Sequence, residues 1–300
     1  MDRPRRDATV RVRMSDSGHT TQVHSLLQDF SLEMTGKDVD ALREAAPAIP
    51  QGTRINVTFL GNEDLQMRVA AARAVKELGF TPVPHISARR LRSETELLRF
   101  LEELARVDAV RHLFAVGGDP AEPMGPYSSA REMLASELFD DYEVDEIAVA
   151  GYAEGHPEIA DDLLARELKS KLELLAEREF QTVIITQFGF DTDPIARWLS
   201  ELEALGISVP VRIGVPGPAG IKRLLGYARR FGVASSTGIV KKYGFSLANL
   251  MGSAGPDNFL HNLAAETAAT QYSGNVGVHF YTFGGVAQTA EWIRDFLRQL

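Results

Sequence analysis

No cysteine occurs in the 300 residues, which excludes disulfides, thiolate metal sites and cysteine nucleophiles together. No apolar run approaches the roughly 18–20 residues that a membrane-spanning helix needs. The amino end, with Arg3, Arg5 and Arg6 before Asp7, lacks the apolar stretch of a signal peptide. A soluble cytoplasmic protein with no membrane partner is expected. Positive charge is also in short supply: 32 Lys and Arg stand against 41 Asp and Glu, for a net charge of −9. Such a chain is repelled by a polyanion, so no nucleic-acid partner is expected. The sequence further lacks Gly-x-Ser-x-Gly, the phosphate-cradling Gly-x-x-x-x-Gly-Lys-Ser/Thr, and a Gly-x-Gly-x-x-Gly opening a helix after an early strand. No nucleophile is evident, and no Gly/Ser-rich linker or internal repeat divides the chain.

What is present is an alternation of short apolar runs and amphipathic segments. The runs predict strands at Phe30–Met34, Arg54–Phe59, Thr81–Ile86, Val110–Val116, Glu146–Gly151, Thr182–Phe188, Val211–Val215 and Val276–Tyr281. Between them, 3.6-residue periodicity predicts helices at Asp64–Leu78, Ser93–Arg106, Ala160–Arg178, Thr192–Leu205 and Gly217–Phe231, with Gly79 and Gly206 as C-cap glycines. Eight βα units favour a closed (β/α)8 TIM barrel of the α/β class over an open doubly wound sheet. Residues 232–273 are too many for one crossover. They predict extra helices between strands 7 and 8, among them Pro256–Thr270. The division expected is a mobile polar segment at 1–22 and a single catalytic barrel at 23–300.

In such a barrel, groups at the C-terminal strand ends converge on one mouth. The converging set is Glu33, Thr58, His85, Asp119, Tyr152, Glu154, His156, Gln187 and Tyr281. Glu33, flanked by Leu32 and Met34, is expected in apolar surroundings that raise its pKa and suit it to general acid work; a rim glutamate in water or beside an arginine is the plainer alternative. Gly117-Gly118-Asp119 lets the backbone approach a planar ligand, or is simply a tight turn with a capping aspartate. His85 reads equally as a core residue, and His156, before Pro157, as part of a helix start. His279 is placed by alternation in the core. Gln187 offers an amide to a heterocycle edge. Of Phe188 and Phe190, one is expected in the wall and one free to stack. His85, His156 and Glu154 lack metal-ligand spacing, so no metal is expected.

Taken in order, these strand ends resemble the methylenetetrahydrofolate reductase family. The matching pieces are Phe30-Ser-Leu-Glu33, Val57-Thr58-Phe59, Pro84-His85-Ile86-Ser87, His112 to Asp119, Ala148 to Glu158 with its Tyr152-x-Glu154-x-His156-Pro157-Glu158, Ile185-Thr186-Gln187-Phe188-Gly-Phe190-Asp191, and His279-Phe280-Tyr281-Thr282. The resemblance implies a barrel that reduces 5,10-methylenetetrahydrofolate to the 5-methyl form, with NADH or NADPH as donor, usually a bound FAD, and a homo-oligomeric state. It implies that Glu33 promotes protonation at folate N10, that Asp119 holds the pterin and supports the cationic intermediate, and that Gln187 contacts folate or nicotinamide. Thr58, His85, Gly117, Gly118, Tyr152, His156, Phe190 and Tyr281 complete the expected ligand-binding set.

Two departures bear on the cofactor. Gly117 stands where family members commonly carry a flavin-holding arginine. Leu168-Lys169-Ser170-Lys171, which resembles a flavin-diphosphate segment, is displaced relative to Gln187. These predict weak or no FAD binding and direct hydride transfer, unless Arg89 or Arg90 replaces the lost contacts. A folate-dependent methyl- or methylene-transfer enzyme and a non-catalytic folate-binding barrel are the alternative functions.

Overall fold

A strand that is apolar on both faces needs helices on one side and a packed interior on the other, and closing eight of them into a barrel supplies both. The computed structural model describes residues 16–230 and 253–300. Its strands are β1 (Ser31–Met34), β2 (Arg54–Val57), β3 (Thr81–Ser87), β4 (His112–Val116), β5 (Glu146–Gly151), β6 (Gln181–Phe188), β7 (Val211–Pro216) and β8 (Val276–Tyr281). They form a closed parallel barrel in chain order. Closure pairs β1 with β8, setting Ser31 opposite His279 and Leu32 opposite Phe280. Alternation then sends Leu32, Met34 and Phe280 into the helix layer. Val83, Phe114, Ala148, Val183 and Ile185 fill the interior.

The helical layer comprises α1 (Asp16–Leu27), α2 (Val39–Ala45), α3 (Leu65–Glu77), α4 (Glu94–Arg106), α5 (Ala130–Leu134), α6 (Asp161–Glu177), α7 (Thr192–Ala204), α8 (Ile221–Arg230), α9 (Asp257–Ala269) and α10 (Val286–Leu297). Asp64, Ser93 and Asp191 cap α3, α4 and α7 by accepting backbone N–H groups. Gly79 and Gly206 follow α3 and α7 at φ 81° and 71°, the left-handed turn expected of them. At the N-terminal end of the barrel Asp29 pairs with Arg54 at 2.9 Å and Arg212 at 2.5 Å, and Arg54 also reaches Glu146 at 3.2 Å. This network plugs the end opposite the mouth.

Two expectations shift. The boundary drawn at residue 22 falls inside α1, whose Val23, Leu26 and Leu27 are buried. The polar first half of that helix has no amphipathic signal; packing against α9 and β8 supplies its stability. The helix expected from Gly217 starts at Ile221, because Ala219–Gly220 pairs antiparallel with Ser253–Ala254. α8 is the helix expected at Gly217–Phe231, and α9 falls on the extra helix expected at Pro256–Thr270; Phe231 and residues 232–252 lie outside the described residues. Among the described residues, no helix is long and apolar enough to cross a membrane.

Candidate active site

A cavity of about 660 Å³ opens at the C-terminal mouth of the barrel, within the size range of small-molecule sites. Glu33, Thr58, His85, Tyr152, Gln187 and Tyr281 line it. Six of the expected residues, from six different strand ends, therefore meet in one place.

Glu33 is not set in apolar surroundings. Its sequence neighbours Leu32 and Met34 point outward, while its own carboxylate turns into the mouth with 18% of the side chain exposed. There it lies between two imidazoles: Oε2 is 3.6 Å from His279 Nε2 and 3.8 Å from His85 Nε2. His279 is fully buried, its Nδ1 bonded to Ser31 Oγ at 2.8 Å. Its Nε2 has no hydrogen-bond partner in the protein. His279 thus points inward, as alternation predicts, but onto the candidate acid. Thr282 Oγ1 donates to the Glu33 carbonyl at 2.6 Å and anchors the tip of β1 to β8.

His85 is buried and edge-on to Phe114. Burial pushes its pKa down to about 4, with Glu33 opposing that and His279 adding to it. Asn56 Nδ2 lies 3.4 Å from His85 Nε2, and an amide donor there suits a neutral ring. His85 is therefore uncharged at pH 7, and its contact with Glu33 is not an ion pair. An unfolded chain binds this proton below its ordinary 6.5, so the stability involved is complete above that value and is lost as pH falls toward 4. Between pH 7 and pH 5 the loss amounts to about 2 kcal/mol. Urea melts at the two pH values should show His85→Gln less acid-sensitive than wild type by that order; an unchanged difference would mean His85 is not the group responsible.

Tyr281 and Tyr152 form part of the remaining wall. Burial, followed by the Glu33 and Tyr152 charges, holds the Tyr281 phenol well above its ordinary pKa, and its O–H donates to the Thr186 carbonyl at 3.0 Å. Burial likewise raises Tyr152, which stands edge-on to His156. Thr58, in the cavity lining, has its Oγ1 buried without a protein partner. Gln187 lies two residues past Ile185 on the same side of β6, and the register shift between Ile185 and Phe188 lets its neighbour Phe188 line the mouth as well.

Other expected residues stand elsewhere. Phe188 lines the cavity, but Phe190 is 3% exposed behind it, packed with Leu224 and Ala228. Neither aromatic is left free to stack from the β6 end. His156 lies beside a small cleft with Gln187, and its Nδ1 accepts from the Glu158 N–H. Gly117, Gly118 and Asp119 are outside the cavity lining. Gly118 sits at φ 99°, where a Cβ would also strike Ser87 Oγ. Asp119, 69% exposed, is held in a two-pronged pair by Arg90, with both contacts at 2.8 Å. Sequence reasoning missed Lys37, Arg223 and Tyr227 on the rim. Lys37 was detectable as the cation just past β1; Arg223 and Tyr227 sit within α8, and only tertiary packing brings them over the mouth.

A family profile described as methylenetetrahydrofolate reductase matches residues 31–235, which carry seven of the eight strands. The chain belongs to the methylenetetrahydrofolate reductase family. Among its relatives, a 5,10-methylenetetrahydrofolate reductase of Pectobacterium carotovorum subsp. carotovorum is 29% identical over 180 residues, covering 58% of this chain and 57% of the relative. A methylenetetrahydrofolate reductase (NADH) of Arabidopsis thaliana is 28% identical over 149 residues, covering 43% of this chain and 24% of its own length. The chain thus spans little more than half of one relative and a quarter of the other. The fold is shared with a Clostridium thermocellum protein that binds two copies of 5-methyl-5,6,7,8-tetrahydrofolic acid, at TM-score 0.58 and 9% identity, over 93% of this chain and 99% of that one.

The resemblance sets the diphosphate of a flavin dinucleotide, the cofactor the family implies, against basic side chains, whose contacts are charge-assisted. Gly117 has no side chain to give. Arg89 is spent on the carbonyls of Pro120, Ala121 and Ser128, and Arg90 on Asp119. Lys169 pairs with Glu173 on the surface. Lys171 is buried, its pKa lowered by desolvation against the pull of Glu167. Among the described residues, the positions expected to cradle FAD do not fit it.

Proposed function

We propose that this protein reduces the methylene carbon of 5,10-methylenetetrahydrofolate with a hydride taken directly from a nicotinamide dinucleotide. The observation that carries the reading is Glu33, a mouth carboxyl set between His85 and His279 in a cavity whose lining includes aromatic rings, the Gln187 amide and the Thr58 hydroxyl. In this reading protonated Glu33 gives its proton to folate N10. The bond between the methylene carbon and N10 breaks, its electron pair stays on N10, and N5 forms an iminium with the methylene carbon. Hydride then passes with its electron pair to that carbon, yielding the 5-methyl product and the oxidised nicotinamide. Glu33, now a carboxylate, regains a proton from water at the mouth. The low, neutral His85 avoids placing a fixed cation beside the iminium. Gln187 and Thr58 address the pterin edge. Asp119 joins them only when its carboxylate leaves Arg90. The protein is expected to work in the cytoplasm as a homo-oligomer.

Mixing the protein with methylenetetrahydrofolate and NADH, and following the nicotinamide absorbance, tests the reading. Folate-dependent oxidation supports it. A methyl transfer without NADH loss, or folate binding without reaction, favours one of the two rival readings. Lys37 and Arg223, the cations on the cavity rim, are proposed to receive the carboxylates of the folate tail. Arg223→Ala is expected to raise the folate KM roughly tenfold, as for one lost charge-assisted contact. A KM unchanged from wild type would place the tail elsewhere.

A further inference from the structure

A second cavity, of about 420 Å³, opens between α6 and α7 outside the barrel. Trp198, Arg197 and Glu201 of α7, Asp161 of α6 and Glu154 after β5 contribute to its lining. It adjoins the mouth: Ala150 and Tyr152 line both cavities. A narrow cleft along Tyr152, Glu154, Gly155 and Gln187 lies between them. Gly151 makes room for this arrangement, because any Cβ there would sit 2.6 Å from Ile184 and 3.0 Å from the Trp198 ring. The indole edge therefore rests directly on the β5 backbone, and the ring is partly exposed to the groove.

Hydride transfer requires the nicotinamide and the folate carbon within about 3–3.5 Å of each other. Both rings must then share the mouth, and the far half of the donor needs a place of its own. We propose that the groove between α6 and α7 receives the adenosine half of the dinucleotide donor, which crosses over Tyr152 to present its nicotinamide in the mouth. The proposal rests on the reductase reading above. Trp198 supplies an aromatic surface for the flat adenine. Asp161 and Glu201 supply carboxylate acceptors for the two ribose hydroxyls, which are donors. Arg197 is the cation nearest for the diphosphate that links the halves. Three carboxylates, Glu154, Asp161 and Glu201, line the groove together with that one arginine. A 2′-phosphate would enter an acidic groove, so the site selects NADH over NADPH.

The chain has two tryptophans, Trp198 and Trp292, so a Trp292→Phe background isolates the groove reporter. ADP-ribose, which carries no nicotinamide, should quench Trp198 emission saturably, and its 2′-phosphorylated form should not at the same concentration. In the reductase assay Trp198→Ala should raise the NADH KM roughly tenfold, the size of one lost base-on-aromatic stack, while the folate KM stays. Glu201→Lys, on an exposed helix face, should shift the NADPH-to-NADH preference about tenfold toward NADPH. An unmoved NADH KM in Trp198→Ala, or an equal shift in both KM values, overturns the groove assignment, as does ADP-ribose without effect on emission. Quenching by ADP-ribose in a protein that never oxidises NADH with folate would uphold the groove and overturn the reductase reading. Oxidation without quenching would do the reverse.

Discussion

Glu33→Gln is expected to lower folate-dependent NADH oxidation by roughly 10²–10⁴-fold, the usual contribution of a general acid, while folate affinity stays near that of wild type. The substitution keeps size and shape, and an amide can still meet His279 Nε2 and His85 Nε2 across the 3.6 and 3.8 Å gaps. What it removes is the proton. Without one at N10 the five-membered ring stays closed, no iminium forms, and the hydride has no acceptor. Single-turnover kinetics at pH 6–8, beside a folate titration, separate the step from binding. Turnover near wild type would remove Glu33 from the mechanism. A loss confined to affinity would instead make Glu33 a pterin-binding residue.

The barrel and the position of Glu33 at a strand end were legible from local pattern, because each strand is an apolar run and each run ends in polar groups. The surroundings of Glu33 were not. Leu32 and Met34 suggest an apolar site when read along the chain, yet alternation sends both outward. Its true neighbours come from β3 and from β8, and the latter arrives only through barrel closure, which sets His279 beside Ser31. The same limit applies to Asp119. Its partner Arg90 lies on the preceding βα loop, and nothing in Gly117-Gly118-Asp119 foretells that the carboxylate is taken. Phe190 reads like Phe188, but α8 packs over it, and that α8 covers this ring is a tertiary contact no local pattern signals. Helix α1 was missed for a related reason: its polar first turns become helical only against α9 and β8.

The protein as purified is expected to lack flavin absorbance and to oxidise NADH equally with and without added FAD. Each charge-assisted contact to a diphosphate contributes about 1.5–3 kcal/mol, so losing the Gly117 position and the displaced lysine segment together weakens flavin binding about a hundredfold or more. The two arginines best placed to compensate are committed: freeing Arg90 would strip Asp119 of its partner, and freeing Arg89 would release the loop carbonyls from Pro120 to Ser128. Direct transfer asks for nothing further, since the iminium carbon is itself a hydride acceptor. Gly117→Arg makes the argument reversible. Gly117 has none of the positive-φ strain of Gly118, and a Cβ there meets nothing within 4 Å, so the longer side chain can enter without disturbing the turn. That variant should bind added FAD at least about tenfold more tightly than wild type, the value of one restored contact, as read from flavin fluorescence quenching. A wild-type protein that emerges yellow with stoichiometric flavin, or that needs FAD for every turnover, would overturn direct transfer while leaving Glu33 and the folate chemistry in place.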